Sequence, residues 1–277
     1  MTASRLLVST PPTEQTGLRS HYSLLLTRND DDVASAQRLR YQVFAEELGA
    51  TLSDPHTGRD IDRFDEFCDH LVVRADQTGE IVGTYRMLPP ERAREAGGYY
   101  SETEFDLTAF AGLRSSLVEA GRSCVHPDHR GGAVVSLVWA GIARYLLLTG
   151  NTYLTGCASV SLADGGMLAR GVWERAKAKH LSPTDLRVTP HHQWDADAAV
   201  RPERTLIPPL LRGYLRLGAW VCGPPAHDPD FGVADFLVLL SLDRLDQRYL
   251  RFFLGAEGAS QRPASTGSEA PRKVTRA

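Results

Sequence analysis

The sequence predicts an α/β domain built on a mixed, mostly antiparallel central sheet, and three observations carry that prediction. Two β-rich runs, His70 to Ala75 and Ile81 to Leu88, are joined by five residues that include Gly79, the pattern of a hairpin. Leu117 to Val125 reads as a strand that leads through a glycine-bearing loop into the apolar run Ala133 to Leu148, a succession of strand, loop and helix. Tyr153 to Val160 and Ala234 to Leu242 are further strands, interleaved with helical stretches, so the helices cover a sheet rather than form a bundle of their own.

The elements follow in order. Met1 to Ser20 mixes Ser, Thr, Pro and Gln without period and is expected to be a disordered tail, as is Gly255 to Ala277. Tyr22 to Thr27 alternates apolar and polar residues as a strand does. Asn29, Asp30 and Asp31 are capping candidates for a helix in which Val33, Ala36, Leu39, Arg40, Val43, Phe44 and Leu48 recur at helical spacing until Gly49 ends it. Leu168 to Ala178 and Leu206 to Leu217 are two more helices, and Ser182 to Pro202, with its prolines and histidines, is a long loop. One domain from residue 21 to residue 254 accounts for this, with a sizeable core.

Composition excludes several classes. The chain has 277 residues, with 31 Lys and Arg against 34 Asp and Glu, so no surplus of positive charge marks a nucleic-acid surface. Cys68, Cys124, Cys157 and Cys222 are widely spaced with no C-x-x-C pair, which suits reduced thiols and a cytoplasmic setting. The most apolar run, Ala133 to Leu148, is interrupted by Arg144 and reads as a buried helix rather than a membrane span.

The chemistry concentrates around two places. A strand that enters a glycine-bearing loop and then a helix offers free N–H groups at the positive end of the helix dipole, and Arg130 to Val134 is that place here. Just upstream, the period of two puts Glu119 and Gly121 on one face of the strand and Ala120 and Arg122 on the other. A carboxylate in an apolar strand is costly unless paired or used. An ion pair of Glu119 with Arg86 or Arg122 and a catalytic role are both open, and compatible. Asp62, Asp65, Glu66 and Asp69 form an acidic cluster without the fixed glycine turn of an oxygen cage, and Cys68 with His70 lacks a second pair, so no metal is expected. Ser123 has no Gly-x-Ser-x-Gly elbow, so a nucleophilic serine with a covalent intermediate is not expected there.

The succession Arg40-Tyr-Gln-Val-Phe44, Asp62-Arg-Phe-Asp65, His70-Leu-Val-Val, Ile81-Val-Gly-Thr-Tyr-Arg86, Tyr100-Ser-Glu-Thr-Glu-Phe-Asp-Leu107 and Glu119-Ala-Gly-Arg-Ser-Cys-Val-His-Pro-Asp-His-Arg130 resembles the GNAT superfamily of acyltransferases. Within it the chain is most similar to the L-ornithine N-acyltransferases of ornithine-lipid synthesis, with Pro208-Pro-Leu-Leu-Arg-Gly-Tyr-Leu-Arg-Leu-Gly218 and Asp230-Phe-Gly-Val-Ala-Asp235 matching the C-terminal half. The acyl-homoserine-lactone synthases share the N-terminal pattern, but Ala50 stands where they carry an aromatic residue and Gly121 where they carry serine.

The resemblance implies a GNAT fold and transfer of a 3-hydroxyacyl group from the 4'-phosphopantetheine arm of acyl carrier protein to the α-amino group of L-ornithine. It implies Glu119 as base with Arg122 beside it, and Arg40, Phe44, Asp62, Asp65 and Arg86 as acceptor contacts. Donor contacts fall on Ser123, Cys124, Val125, Arg130, Gly131 and Gly132, and on Ala158 and Ser159 of the facing strand. Ala133 stands where the GNAT loop has its first glycine, as expected of a donor that carries a phosphodiester and no nucleotide. A dock for the acidic carrier is expected among Arg130, Arg144, Arg170, Arg175, Lys177 and Lys179. Leu206 to Trp220, with Arg212 and Arg216 four apart, packs on the core and offers a secondary site for transient contact with the membrane surface. The alternatives are an acyl-CoA-dependent N-acyltransferase acting on another amine, lactone synthesis from S-adenosylmethionine included, and a non-catalytic regulator that binds the carrier or a membrane.

Overall fold

The computed structural model describes residues 4–10, 21–52 and 55–245. The tail expected at 255–277 and most of that expected at 1–20 lie outside the described residues. In chain order the elements are β1 (Arg5–Ser9), β2 (Tyr22–Thr27), α1 (Asp30–Tyr41), β3 (Asp69–Ala75), β4 (Ile81–Leu88), α2 (Pro90–Glu95), β5 (Phe105–Asp106) and β6 (Leu117–Val125). They continue with α3 (Gly132–Thr149), β7 (Tyr153–Ser161), α4 (Met167–Lys179), β8 (Thr189–Pro190), α5 (Pro209–Arg216), β9 (Trp220–Val221), β10 (Ala226–Asp228) and β11 (Val233–Ser241).

The main sheet runs β1-β2-β3-β4-β6-β7-β11-β10, with β9 also on β11. Its strand pairs are antiparallel except β6 with β7, which are parallel and joined by α3. The expected α/β class and mostly antiparallel sheet are therefore present. Along β3, Leu71 and Val73 point into the core beneath α3 while Val72 points to the other face, where Ala36 of α1 covers it. Leu137, Val138, Ile142 and Leu146 bury the apolar side of α3 against that core, and Gly141 lets the helix down onto Leu24 of β2, since a Cβ there would overlap the leucine.

Local physics explains the helix ends. Asn29 accepts the N–H groups of Asp31 and Asp32, and three aspartates in the first turn suit the positive end of α1. Beyond Tyr41 the helix widens into a π-helical stretch, Gln42–Glu47, and Leu48 and Gly49 then close it, the glycine at φ +75°. The widened turn carries Phe44 toward the site described below.

The structure corrects four expectations. Arg5–Ser9 is not a tail but an edge strand on β2, with Leu7 in the core. The helix expected from Leu206 begins only at Pro209, because consecutive prolines lack the donors that an earlier start would need. The loop 182–202 contains β8, which pairs with β5, and two short 3-10 turns. Finally, the alternation along β6 does not persist through Arg122.

Candidate active site

In the β4–β6 ladder Arg86 opposes Gly121 and Thr84 opposes Cys124, so Tyr85 faces both Arg122 and Ser123. One extra residue in β6 makes a bulge there, and Arg122, at φ +53°, takes up the left-handed conformation. The bulge brings Arg122 onto the face that carries Glu119, against the simple alternation expected, and Cys124 packs beneath Leu39 and Val43 of α1.

From the bulge onward β6 and β7 part. Their pairing runs only from Leu117–Tyr153 to Glu119–Thr155, while β6 stays on β4 and β7 stays on β11 as far as Ser161. The separation begins where Gly156 meets Ala120, whose carbonyl oxygen leaves no room for a Cβ. A cavity of about 240 Å³ lies in this opening. Gly121, Arg122, Ser123, Cys157 and Ser159 form its strand walls, Tyr85 and Leu210 close the side toward the α3 core, and Glu119, Arg86, Phe44 and Asp235 close the other. A second cavity of about 380 Å³ lies outside it, edged by Asp62, Glu104, Asp228 and His227. Tyr100, Arg122 and Phe231 border both. The Arg122 guanidinium is held 5.0 Å from the ring centres of Tyr100 and of Phe231, a cation–π sandwich that makes a fixed partition.

Behind the partition stands a buried ion-pair hub. Arg40, wholly buried, holds Asp65 through two bonds of 2.9 and 2.8 Å and Asp60 at 2.8 Å. Arg86 reaches Asp62 at 2.6 Å and Asp65 at 3.2 Å, and Arg122 reaches Asp60 at 3.2 Å and Asp62 at 3.3 Å. Although burial works to raise the Asp65 carboxyl, the guanidiniums of Arg40 and Arg86 hold it well below the usual carboxylate range. Three arginines and three aspartates thus neutralise one another. Arg40 and Asp65, expected to touch the acceptor, border neither cavity and instead position Arg86, Asp62 and Arg122, which do.

Among the described residues, Glu119 forms no ion pair with Arg86 or Arg122; both arginines pair instead with the aspartates of the hub. Its carboxylate accepts the N–H of Tyr100 at 2.6 Å, the N–H of Ser101 at 2.8 Å and the Ser101 hydroxyl at 2.5 Å. Burial raises its proton affinity and these three donors oppose the rise. The residue fastens the 3-10 turn Tyr100–Thr103 to β6 and so sets Tyr100 and the following Glu104. Glu104 meets Asp235 of β11 carboxyl to carboxyl, with the Cys157 thiol donating to Glu104 at 3.8 Å. Neither acid is among the site residues that the sequence leads one to expect. Asp235 does have a readable signal, a carboxylate inside the apolar run Ala234 to Leu242, the same feature that marks Glu119 in β6.

Of the expected donor contacts, Ser123 and Ser159 line the cavity. Cys124 and Ala158 are buried in the cores on either side, and Val125 packs on the α3 core, so these offer the opening main chain rather than side chains. Gly131 caps α3 and Gly132 begins it, with nothing within 4 Å of a notional Cβ on either. Arg130 forms a two-pronged pair with Glu47 at 2.7 and 2.6 Å. Arg144 donates to the carbonyl of Leu7, and Arg170 donates to that of Ala199 at 2.5 Å, so neither is a free docking charge.

A bulged strand diverging from its parallel neighbour, with a helix starting at the mouth of the gap, defines a GNAT-type acyltransferase fold, and the family model for the acetyltransferase (GNAT) domain matches residues 39–140. The chain is 33% identical over 246 residues to the L-ornithine N(alpha)-acyltransferase of Rhodobacter capsulatus, covering 84% of this chain and 94% of that protein. It is 33% identical over 289 residues to that of Rhizobium meliloti, with 94% of each covered, and 35% identical over 241 residues to that of Brucella abortus, covering 81% and 85%. Among solved structures it is similar to the CoA-dependent acyl-homoserine lactone synthase BjaI with SAM and isopentyl-CoA, at 16% identity, TM-score 0.48, and 88% and 89% coverage. The N-acyl amino acid synthase FeeM from uncultured soil microbes matches at 10% identity, TM-score 0.48, and 80% and 90% coverage. The chain belongs to the L-ornithine N(alpha)-acyltransferase family.

Proposed function

We propose that this protein transfers a fatty acyl group from a phosphopantetheine thioester to the α-amino group of L-ornithine. The observation that carries the reading is the near full-length similarity to relatives of that activity, over a chain that keeps an opening between β6 and β7. The amine nitrogen attacks the thioester carbon, the C–N bond forms, the C–S bond breaks, and the thiol leaves. The edge of β6 beyond its last pair with β7 leaves main-chain N–H groups that suit the developing oxyanion. Arg122 and Arg86, partly satisfied by Asp60 and Asp62, are the cations nearest the opening that suit the acceptor carboxylate.

The donor is proposed to be acyl carrier protein, with 3-hydroxyacyl chains. Ala133 in place of a loop glycine supports a donor without a nucleotide to cradle, and the glycines at the start of α3 leave room for one phosphodiester. Purified protein incubated with 3-hydroxyacyl carrier protein, or with the matched acyl-CoA, and a panel of amines headed by L-ornithine is expected to yield acyl-ornithine from the carrier donor, read by mass spectrometry. Acylation of a different amine would keep the chemistry and discard ornithine; equal turnover of acyl-CoA would discard the carrier preference.

A further inference from the structure

Resting on the acyl-transfer reading above, we propose that the Glu104–Asp235 pair, and not Glu119, takes the proton from the acceptor's ammonium group and passes it to solvent. An amino acid's α-amine is largely protonated near neutrality and has no lone pair for attack, so the site needs a group with proton affinity to match. Glu119 is poorly placed for this, because three donors already point at its two oxygens. Glu104 and Asp235 are the opposite case.

Asp235 is only 2% exposed, lies on the wall of the cavity between the parted strands, and its Oδ1 has no hydrogen-bond partner. Glu104 Oε1 is likewise buried without one. Two carboxyl groups facing each other, one of them buried, disfavour ionising together without a cation or a shared proton. Burial and the neighbouring charge hold both above the usual carboxylate range, with Asp228 adding to the effect and Arg122 opposing it at Asp235. The other groups facing the pair are the Tyr100 hydroxyl, the Cys157 thiol and Ser159, which opposes Asp235 in the β7–β11 register and hydrogen-bonds to it. Burial pushes the Cys157 thiol well up, so it stays a neutral donor.

The pair also has an entrance and an exit. Asp235 borders the inner cavity and Glu104 borders the outer one, with Asp228 on the rim of both. The ammonium proton moves to Asp235, the freed lone pair forms the C–N bond, and the C–S bond breaks. The second proton shed by nitrogen goes to the leaving thiolate, and the pair's extra proton leaves from Glu104 through the outer cavity. Ligand atoms of Glu104, Cys157 and Asp235 lie within 4.8 Å of one another, so a metal ion is the competing occupant.

The test compares kcat and KM of wild type, Asp235→Asn, Glu104→Gln and Glu119→Gln across a pH series, on the amine that the wild type acylates. If wild type acylates no ornithine, the functional reading fails; the proposal is judged separately, by the variants on whichever amine is used. Folding of each variant is checked by near-ultraviolet circular dichroism, and either Asp235→Asn or Glu104→Gln alone suffices. Each is expected to lower kcat by about a hundredfold near neutral pH, with the defect shrinking about tenfold per pH unit upward as the amine loses its proton unaided. A defect that does not change with pH, the same pH rescue in Glu119→Gln alone, or activity abolished by a chelator and restored by zinc would each overturn the proposal.

Discussion

His70 shows what a single buried group does to the balance of this molecule. It is 1% exposed, its Nε2–H donates to the Asp65 carbonyl at 3.2 Å, and burial pushes its proton affinity down from 6.5 to about 4. In the unfolded chain the imidazole titrates near its ordinary value. Between those two values the unfolded state binds a proton that the native state refuses, so His70 contributes stability that is fully present above about pH 6.5 and lost as pH falls toward 4. The size is about 3 kcal/mol. Asp62 and Asp65, held below the usual carboxylate range by their arginines, act further down: their contribution is present above the unfolded carboxylate value and is lost as pH falls through the depressed one. Urea unfolding of wild type across this range is expected to show a falling limb between about pH 6.5 and 4 that His70→Gln flattens. An equally steep limb in the variant would sink the assignment. The histidine was readable in the sequence only as a strand residue two from Cys68; its burial depends on Arg40 and Asp65 arriving from α1 and the following loop, which no local pattern announces.

At the scale of elements, the parting of β6 and β7 is set by two glycines with opposite duties. Gly156 is needed because Ala120 O occupies the place of its Cβ, so Gly156→Ala pushes the strands apart directly beside their last pair, Glu119–Thr155. It is expected to cost about 1–3 kcal/mol, as overpacking does, measured by chemical denaturation. Gly121 has nothing within 4 Å of a notional Cβ and lines the cavity, so Gly121→Leu fills the space proposed for the acyl thioester. Acyl transfer should fall at least tenfold with stability unchanged within about 0.5 kcal/mol; a stable variant with full turnover would place the acyl group elsewhere. Strands, hairpin and helices were legible because each has its own period. The bulge at Arg122 was not, since an extra residue changes register only against β4, a partner distant in sequence. The resemblance motifs did enclose Glu104 and Asp235, yet nothing in either stretch says that β11 brings the second acid to the turn that Glu119 fastens.

For the molecule as a whole, the sheet separates two tasks along its width. The proposed reacting face occupies β4, β6, β7 and β11, while β1 closes the far edge, three strands from β4. That edge strand was expected to be part of a tail, because five residues carry too little alternation to announce a strand without their partner. Paired with β2 from Arg5–Leu26 to Ser9–Ser23, it covers the β2 main chain and buries Leu7, whose carbonyl takes a hydrogen bond from Arg144 of α3. Deleting residues 1–10 would bare the N–H and C=O groups of β2, a ready template for another chain, and leave the Arg144 guanidinium without that acceptor. Burying a leucine is worth about 1.5–3 kcal/mol, and at this chain length each kcal/mol moves the melting temperature by about 2–4 °C. The truncated protein is therefore expected to melt about 5–10 °C lower and to associate as concentration rises, measured by calorimetry and light scattering. Well below its melting temperature it should acylate at the wild-type rate, because no residue of β1 reaches either cavity. Loss of turnover in a truncated protein that is still folded would mean that the edge and the reacting face are coupled through α3, against the separation the sheet order implies.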